Sequence, residues 1–436
     1  MSFSAAAAAW FALAAPVSPA GCASSDGIEI GPRLAQWVEK RQAKCQQLRP
    51  YEGTFLEKQI LAFEKAERPS ITRLNLLGLY PRLESVDHRS QYAPGLRLWQ
   101  PDLGGSRLDL SGSAFWSFQG YQYYDAQVGA VPHHGQAFPL LATKNDDVFE
   151  LANVRSDANA PYMLYGSFLY RWAPKYDYFG IGPDSREEDQ ADFRLQETLY
   201  EGVAGYRVLP RLTLSGRFGL DSFSIGEGTD DELPAIDAVF PPETVPGLAE
   251  QPDFVRYGAA AIFDSRDFAE NPHRGAVLAA TWQRYDQRGG GDDQSFKQLA
   301  ADVRLYLTLG SRQRVLALRG YASQDDPADG ARVPFYLLSY LGSSHTLRAF
   351  ASQRFRGERL ALAQAEYRWE ASPVIELAAF VDSGAVAATR DDSLGSFRTD
   401  GGIGLRVKSH EATLLRFDFA WGSEGGSFLF RFSPVF

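Results

Sequence analysis

The sequence predicts an all-β transmembrane barrel of about 16 antiparallel strands, preceded by a short helical segment, and three observations carry that prediction. From about Arg68 onward apolar and polar residues alternate with a period of two, interrupted by polar, Gly-rich or Pro-containing stretches. The alternating runs are about 11 to 15 residues long, above the ~5 or 6 of globular strands and enough for the ~9 to 11 of a tilted membrane strand. Their apolar faces end in aromatics such as Trp421 and Tyr367, as interfacial girdles do, and the last run ends at Phe436.

Composition narrows the class further. Aromatics are abundant (29 Phe, 20 Tyr, 8 Trp), Gly reaches 40, and only 2 Met and 2 Cys occur. Beyond Ala20 no apolar run approaches the ~18 to 20 residues of a spanning helix, so any span is built from strands. A net charge of −10 does not suit a nucleic-acid binder, which neutralises phosphates with clustered Lys and Arg.

The N-terminal part divides in two. Ala5 to Ala15 is a short apolar stretch followed by Ser18 and Ala20, which reads as an export signal over 1–20 although no Lys or Arg precedes it. Cys22 has three readings. It is a lipid-attachment residue (with Pro19 where a Leu-like residue belongs), the disulfide partner of Cys45 in an oxidising periplasm, or one of two free thiols. Over 21–68 the pattern is helical. Pro32 to Leu48 places Leu34, Trp37, Val38 and Leu48 near one face, and a second helix from about Glu52 to Ala66 carries Phe55, Ile60, Leu61 and Phe63. These amphipathic helices are expected to plug a lumen or cover its mouth.

The barrel is expected over 69–436. Counting back from Phe436, strands are predicted near 424–436, 411–422, 397–409, 372–386, 358–371, 312–324, 294–310, 273–288, 253–266, 210–224, 192–208 and 160–173, with four more between about 72 and 130. Asp302 and Arg304 oppose Val303, Leu305 and Leu307; Gln364, Glu366, Arg368 and Glu370 oppose Ala365, Tyr367 and Trp369; Arg416 and Asp418 oppose Leu415, Phe417, Phe419 and Trp421. An unpaired strand edge in lipid leaves costly backbone groups unsatisfied, so the sheet must close. The segment from Val131 to Asn159 is too long for an ordinary turn. Of the two longest late interruptions, 225–252 reads as a plain surface loop and 325–357 does not.

Four strings in chain order set 325–357 apart: FGIGPDS (179–185), FDSRDFAENPHRG (263–275), LGSSHTLRAF (341–350) and FVDSGAV (380–386). Together with the aromatic terminus they resemble the BamA/TamA/FhaC-type superfamily of outer-membrane assembly and secretion barrels over roughly residues 160 to 436. The resemblance implies that the loop after the eleventh strand folds into the lumen with Leu347, Arg348, Ala349 and Phe350 at its tip. It implies that Arg348 meets an acceptor on the wall made of Phe380, Asp382, Gly384 and Glu366. A guanidinium suits that role because its fork matches a carboxylate in two-point geometry. Ala349 stands where the motif has Gly; if the position needs positive φ, its methyl costs about 1 kcal/mol or more.

Within 263–275, Asp264, Arg266, Asp267, Pro272 and Gly275 match a family turn and mark kinship without making a site. Phe428, Phe430, Phe432 and Phe436 resemble the terminal signal by which such barrels are inserted, and Pro434, lacking an N–H, is expected to weaken pairing at the seam with the first strand.

No GxSxG elbow, HExxH, P-loop or Cys/His cluster occurs, and among six His only His133 and His134 are adjacent, so no enzyme, metal site or cofactor is expected. Only about 50 residues separate the cleavage site from the barrel, too few for the ~75-residue periplasmic POTRA module of the family. The resemblance implies insertion or translocation of proteins or lipids at the bacterial outer membrane. Its partners would be outer-membrane lipids including lipopolysaccharide, with client outer-membrane or periplasmic proteins. The alternative is a passive or plugged channel that keeps the fold without insertase activity.

Overall fold

A computed structural model describes residues 43, 53–55, 57–59, 78–84, 93–100, 102–105, 108–130 and 161–431, except 270, 291–292, 311–312 and 409–412. Sixteen strands form one antiparallel sheet, each hydrogen-bonded to the next in chain order: β1 (Leu79–Glu84), β2 (Ala93–Gln100), β3 (Asp109–Trp116), β4 (Gln122–Ala130), β5 (Tyr162–Tyr178), β6 (Ala191–Leu209), β7 (Leu212–Glu227), β8 (Asp253–Asp264), β9 (Gly275–Arg288), β10 (Phe296–Thr308), β11 (Arg314–Pro327), β14 (Arg359–Ser372), β15 (Ile375–Ala387), β16 (Arg398–Lys408), β17 (Thr413–Gly422) and β18 (Gly425–Arg431). The step from β11 to β14 is direct, as in Ala317↔Glu366, so the connection between them leaves the wall without interrupting it. That connection carries its own two-stranded ladder, β12 (Ser339–Leu341) with β13 (Phe355–Gly357).

The predicted strands and these differ by a few residues at their ends, because alternation marks where a strand runs and hydrogen bonding marks where it stops. Around the N-terminal segment Ala43 is helical, and Thr54 caps the helix that includes Phe55: its N–H donates to Glu57 Oε2 at 2.6 Å while Glu57 N–H donates to Thr54 Oγ1 at 3.4 Å, a reciprocal cap. The export signal, Cys22, Cys45 and the segment 131–159 lie outside the described residues.

The two faces of the sheet are inverted relative to a soluble protein. On β10, Asp302 and Arg304 are 0% exposed while Val303 and Leu305 between them are 41% and 38% exposed. The same holds for Glu366 and Asp382 inside against Tyr367 and Val381 outside, and for Arg416 and Asp418 inside against Trp421 outside. Charges are sequestered and large apolar side chains are displayed, an arrangement that water would punish and a bilayer rewards. No helix among the described residues is long and apolar enough to cross a membrane.

Among the described residues the long connections gather at one end of the sheet: 179–190, 228–252, 328–358 and 388–397. They build an aromatic core there, with Phe335 edge-on to Tyr178 at 5.0 Å and to Phe193 at 4.9 Å, and Tyr178 edge-on to Phe240 at 4.8 Å. The 225–252 interruption, expected as a plain surface loop, contributes Ile236 and Val245 to this core from the short helix Ile236–Val239 and the turns after it. Polar spacing hid that role, because two apolar anchors suffice to dock such a segment.

Placing Arg on the outer face at mid-strand, as in Val303→Arg, is expected to destabilise the folded barrel by ~2–4 kcal/mol in a bilayer. Reversible urea unfolding in lipid vesicles reads this directly, and a Val303→Arg barrel with an unchanged midpoint would contradict the assignment of that face to lipid.

Candidate functional site

The β11–β14 connection turns inward because its stem is held from three sides. Ser339↔Gly357, Tyr340↔Arg356 and Leu341↔Phe355 pair as β12 and β13. The 179–185 string braces that stem: Gly182 N–H donates to the Arg356 carbonyl at 2.7 Å, and Arg354 donates to Ser185 Oγ and to its carbonyl, both at 2.8 Å. Arg354 also reaches Glu424 at 2.9 Å, at the β17–β18 turn. Leu341, Leu347, Phe350 and Phe355 then bury themselves with Leu360, Leu362, Phe380 and Val386 of the wall.

The tip is a polar turn written into GSSHT. Gly342 has φ +96°, and a Cβ there would sit 2.1 Å from the Ala351 carbonyl, so only Gly fits. Its N–H donates to Thr346 Oγ1 at 3.1 Å, and His345 N–H donates to Ser343 Oγ at 3.2 Å. These local bonds release the 344–349 backbone to bind the wall.

Arg348 follows this turn, and its side chain is fully buried. Nε and Nη2 donate to the two oxygens of Asp382 at 2.6 and 2.9 Å, Nη1 donates to Glu366 at 2.9 Å, and Asp418 lies 3.5 Å from Nη1. The guanidinium carbon stands 3.3 Å above the centre of the Phe380 ring, which closes the remaining face. Burial opposes the charge on Arg348, but Asp382, then Glu366 and Asp418, outweigh it and raise its pKa above the ordinary arginine value. Gly384 serves a different purpose: a Cβ there would come within 2.8 Å of Leu341 Cδ1, so its absence lets the loop lie against β15.

The wall contributes residues that sequence reasoning did not single out as acceptors. Asp400 accepts from Ala349 N–H at 3.1 Å, Gln364 donates to the Thr346 carbonyl at 2.9 Å, Arg319 to the His345 carbonyl at 3.0 Å, and Arg416 to the Ser344 carbonyl at 2.8 Å. Arg431 Nε donates to Ser344 Oγ at 3.2 Å, which extends the contact to β18. Behind this layer Glu366 also pairs with Arg368 at 2.8 Å and Arg406 at 2.9 Å, and Arg406 pairs with Asp418 at 2.8 Å. The usable signal was the inward phase of each strand, which on β16 puts Asp400, Gly404 and Arg406 together. A Cβ at Gly404 would lie 2.4 Å from Asp418 Oδ1, so that glycine makes room for the ion pair.

Ala349 departs from the conditional expectation of strain. Asp102 and Gln353 are the non-glycine residues with positive φ among those described, and Ala349 is not one of them. Its methyl faces Gly422, where a Cβ would be 3.2 Å away, so small size is shifted from the loop tip to the wall. The 263–275 turn is bonded internally and to the wall: Arg266 donates to Asp264 at 3.1 and 2.9 Å and to the Ala269 carbonyl at 2.9 Å, Asp267 accepts from His273 N–H at 2.9 Å, and the His273 ring lies 2.9 Å from Glu370. Phe428 and Phe430 occupy the outer side of β18 opposite Phe419 and Phe417. Phe432, Pro434 and Phe436 lie outside the described residues. Among the described residues no group of His, Cys, Asp or Glu could hold a metal ion.

Removing one partner of a buried ion pair strands the other, which costs about 3–5 kcal/mol. Arg348→Ala is expected to lower barrel stability by that order and to expose 343–354 to protease. Arg348→Lys falls between, since a point charge cannot serve both Asp382 oxygens; urea midpoints and limited proteolysis of the detergent-solubilised protein measure both. Ala349→Gly is expected to lose ~0.4–1 kcal/mol, because an unstrained alanine has less freedom to lose than glycine. A gain in stability on that substitution would mean the backbone is strained after all.

The fold is similar to that of the crystal structure of BamA from Haemophilus ducreyi lacking POTRA domains 1–3, at 13% sequence identity and a TM-score of 0.55, covering 86% of this chain and 81% of that one. CdiB from Escherichia coli matches at 12% identity and a TM-score of 0.49, over 81% of this chain and 59% of that one. No curated protein matches the chain. The model of the Omp85 superfamily domain matches residues 86–433, a stretch that takes in β2 to β18, the folded-in loop and its acceptor wall, and the chain belongs to that superfamily of bacterial outer-membrane β-barrels.

Proposed function

We propose that this barrel promotes insertion or translocation of client polypeptides, or of lipids, at the outer membrane, and that its work is done at the wall near β18. The observation that carries this reading is the placement of the loop tip. Arg348, Ala349 and Ser344 are bonded to β14, β15, β16, β17 and β18, the last strands of the sheet, so the loop braces one side of the lumen. A barrel built simply to conduct has no need to fill its lumen with a buried network of this size, which costs several kcal/mol of desolvation per ion before pairing offsets it. Lipids of the outer membrane are the contact of the outer face in either reading.

Proline supports action at the seam. Pro81 removes one amide donor from β1, and Pro434 removes another from the segment that follows β18.

A plugged channel is the second reading, favoured by the aromatic core that covers the end of the barrel with the long loops. Liposomes separate the two. With the reconstituted full-length protein, a urea-denatured outer-membrane barrel is expected to fold several-fold faster than in empty liposomes, read as heat-modifiable migration on gels. Pro434→Val should slow that reaction and leave barrel stability at or above the wild-type value. Steady single-channel conductance with no acceleration of client folding would instead establish the channel.

A further inference from the structure

A cavity of about 240 Å³ remains inside the lumen beside the loop stem, between the stem and the inner wall of β4 to β11. Its lining joins Arg356, Tyr336 and Tyr340 of the loop to Arg171, Arg256 and Arg319 of the wall. Arg171 pairs with Glu197, Arg256 with Glu201 at 2.8 Å, and Arg319 with Asp302 at 2.9 Å. Arg356 is different.

Its residue is 2% exposed, yet no carboxylate pairs with it among the described residues. It donates to the Phe335 carbonyl at 3.0 Å, to the Asp177 carbonyl at 3.4 Å and to Gln353 Oε1, while Nε has no partner. Around the guanidinium carbon stand the rings of Tyr178, Phe193, Phe335 and Tyr340 at 5.7 to 6.0 Å. The Tyr336 hydroxyl, on the same cavity, is buried and also without a partner. The other buried arginines of the described residues, Arg348 among them, have carboxylates within 4 Å. A buried guanidinium lacking a counter-charge is held at a cost that an anion would relieve.

We propose that this cavity is a binding site for a small oxyanion, a carboxylate or phosphate, whose charge is met by Arg356 and which accepts a hydrogen bond from Tyr336. A cavity of that size admits an oxyanion together with residual water. Guanidinium and phenol donors set among aromatic rings select such a ligand by charge and by shape. Burial also pulls the Arg356 pKa below its ordinary value, opposite to Arg348, in keeping with a cation whose counter-ion comes from outside the loop.

The test uses the full-length barrel in detergent micelles, titrated calorimetrically with inorganic phosphate and separately with benzoate, against sodium chloride of equal ionic strength. Saturable one-to-one binding of at least one probe is expected, with a melting temperature that rises with its concentration. Phosphate alone would mark a tetrahedral site, and tighter benzoate a planar carboxylate among the tyrosine rings. Arg356→Gln should weaken binding tenfold or more and Tyr336→Phe several-fold, with folding verified by heat-modifiable migration. Absence of saturable binding to the wild-type barrel, or affinity unchanged in Tyr336→Phe or in folded Arg356→Gln, overturns the proposal. Should Arg356→Gln fail to fold, the wild-type titration and Tyr336→Phe decide it.

Discussion

The docking of Arg348 onto Asp382 and Glu366 is the interaction on which the inner architecture rests. A guanidinium with no access to water is tolerable only where carboxylates surround it at fixed geometry, and the wall supplies two in direct contact and a third at 3.5 Å. Once that position is set, the adjacent main chain has little choice. Thr346, His345, Ser344 and Ala349 find their partners on β14, β11, β17 and β16 because the tip can approach the wall in one register. The Leu347 and Phe350 side chains flanking Arg348 then seal the contact from the side.

That docking is possible because lipid and lumen divide the work normally done by a single core. Backbone hydrogen bonds are satisfied between strands, apolar side chains face the bilayer, and what remains for the inside is charge. Inside, Glu366 serves Arg348, Arg368 and Arg406 at once, so each cation is paired through a shared anion and the network loses more than one bond when any member is removed. Glycines on the inner face, such as Gly384 and Gly404, supply the space into which loop and ion pairs fit. The loop is therefore part of the wall's electrostatic structure as much as it is an insertion into it.

Much of the wall could be read directly. Period-two alternation located the β10, β14 and β17 faces, and the interior charges Asp302, Glu366 and Asp418 were in phase before any coordinates. Arg348 and its acceptors Glu366, Phe380 and Asp382 were nameable only because short strings of the sequence resemble those of the family; the match of a guanidinium fork to a carboxylate is consistent with that placement. Asp400, Gln364 and Arg319 were not named as partners of the loop. Each takes its part through one hydrogen bond to main chain, and a main-chain acceptor leaves no mark on the sequence that binds it. The buried role of Ile236 and Val245 was hidden likewise, in a segment whose composition is that of an exposed loop.

What the sequence determined by itself is the strand period and the sign of each face, since these follow from side-chain chemistry and local spacing, while the arginine at the loop tip was named through the family resemblance of its string. What only the tertiary structure decided is where the backbone meets: that Ala349 has no positive φ and sets its methyl against Gly422, that β18 reaches the loop tip through Arg431, and that Arg356 is buried without a paired carboxylate among the described residues. Such facts depend on the relative placement of residues tens to hundreds of positions apart. No local pattern encodes that distance, because pairing the strands and folding the loop are what set it.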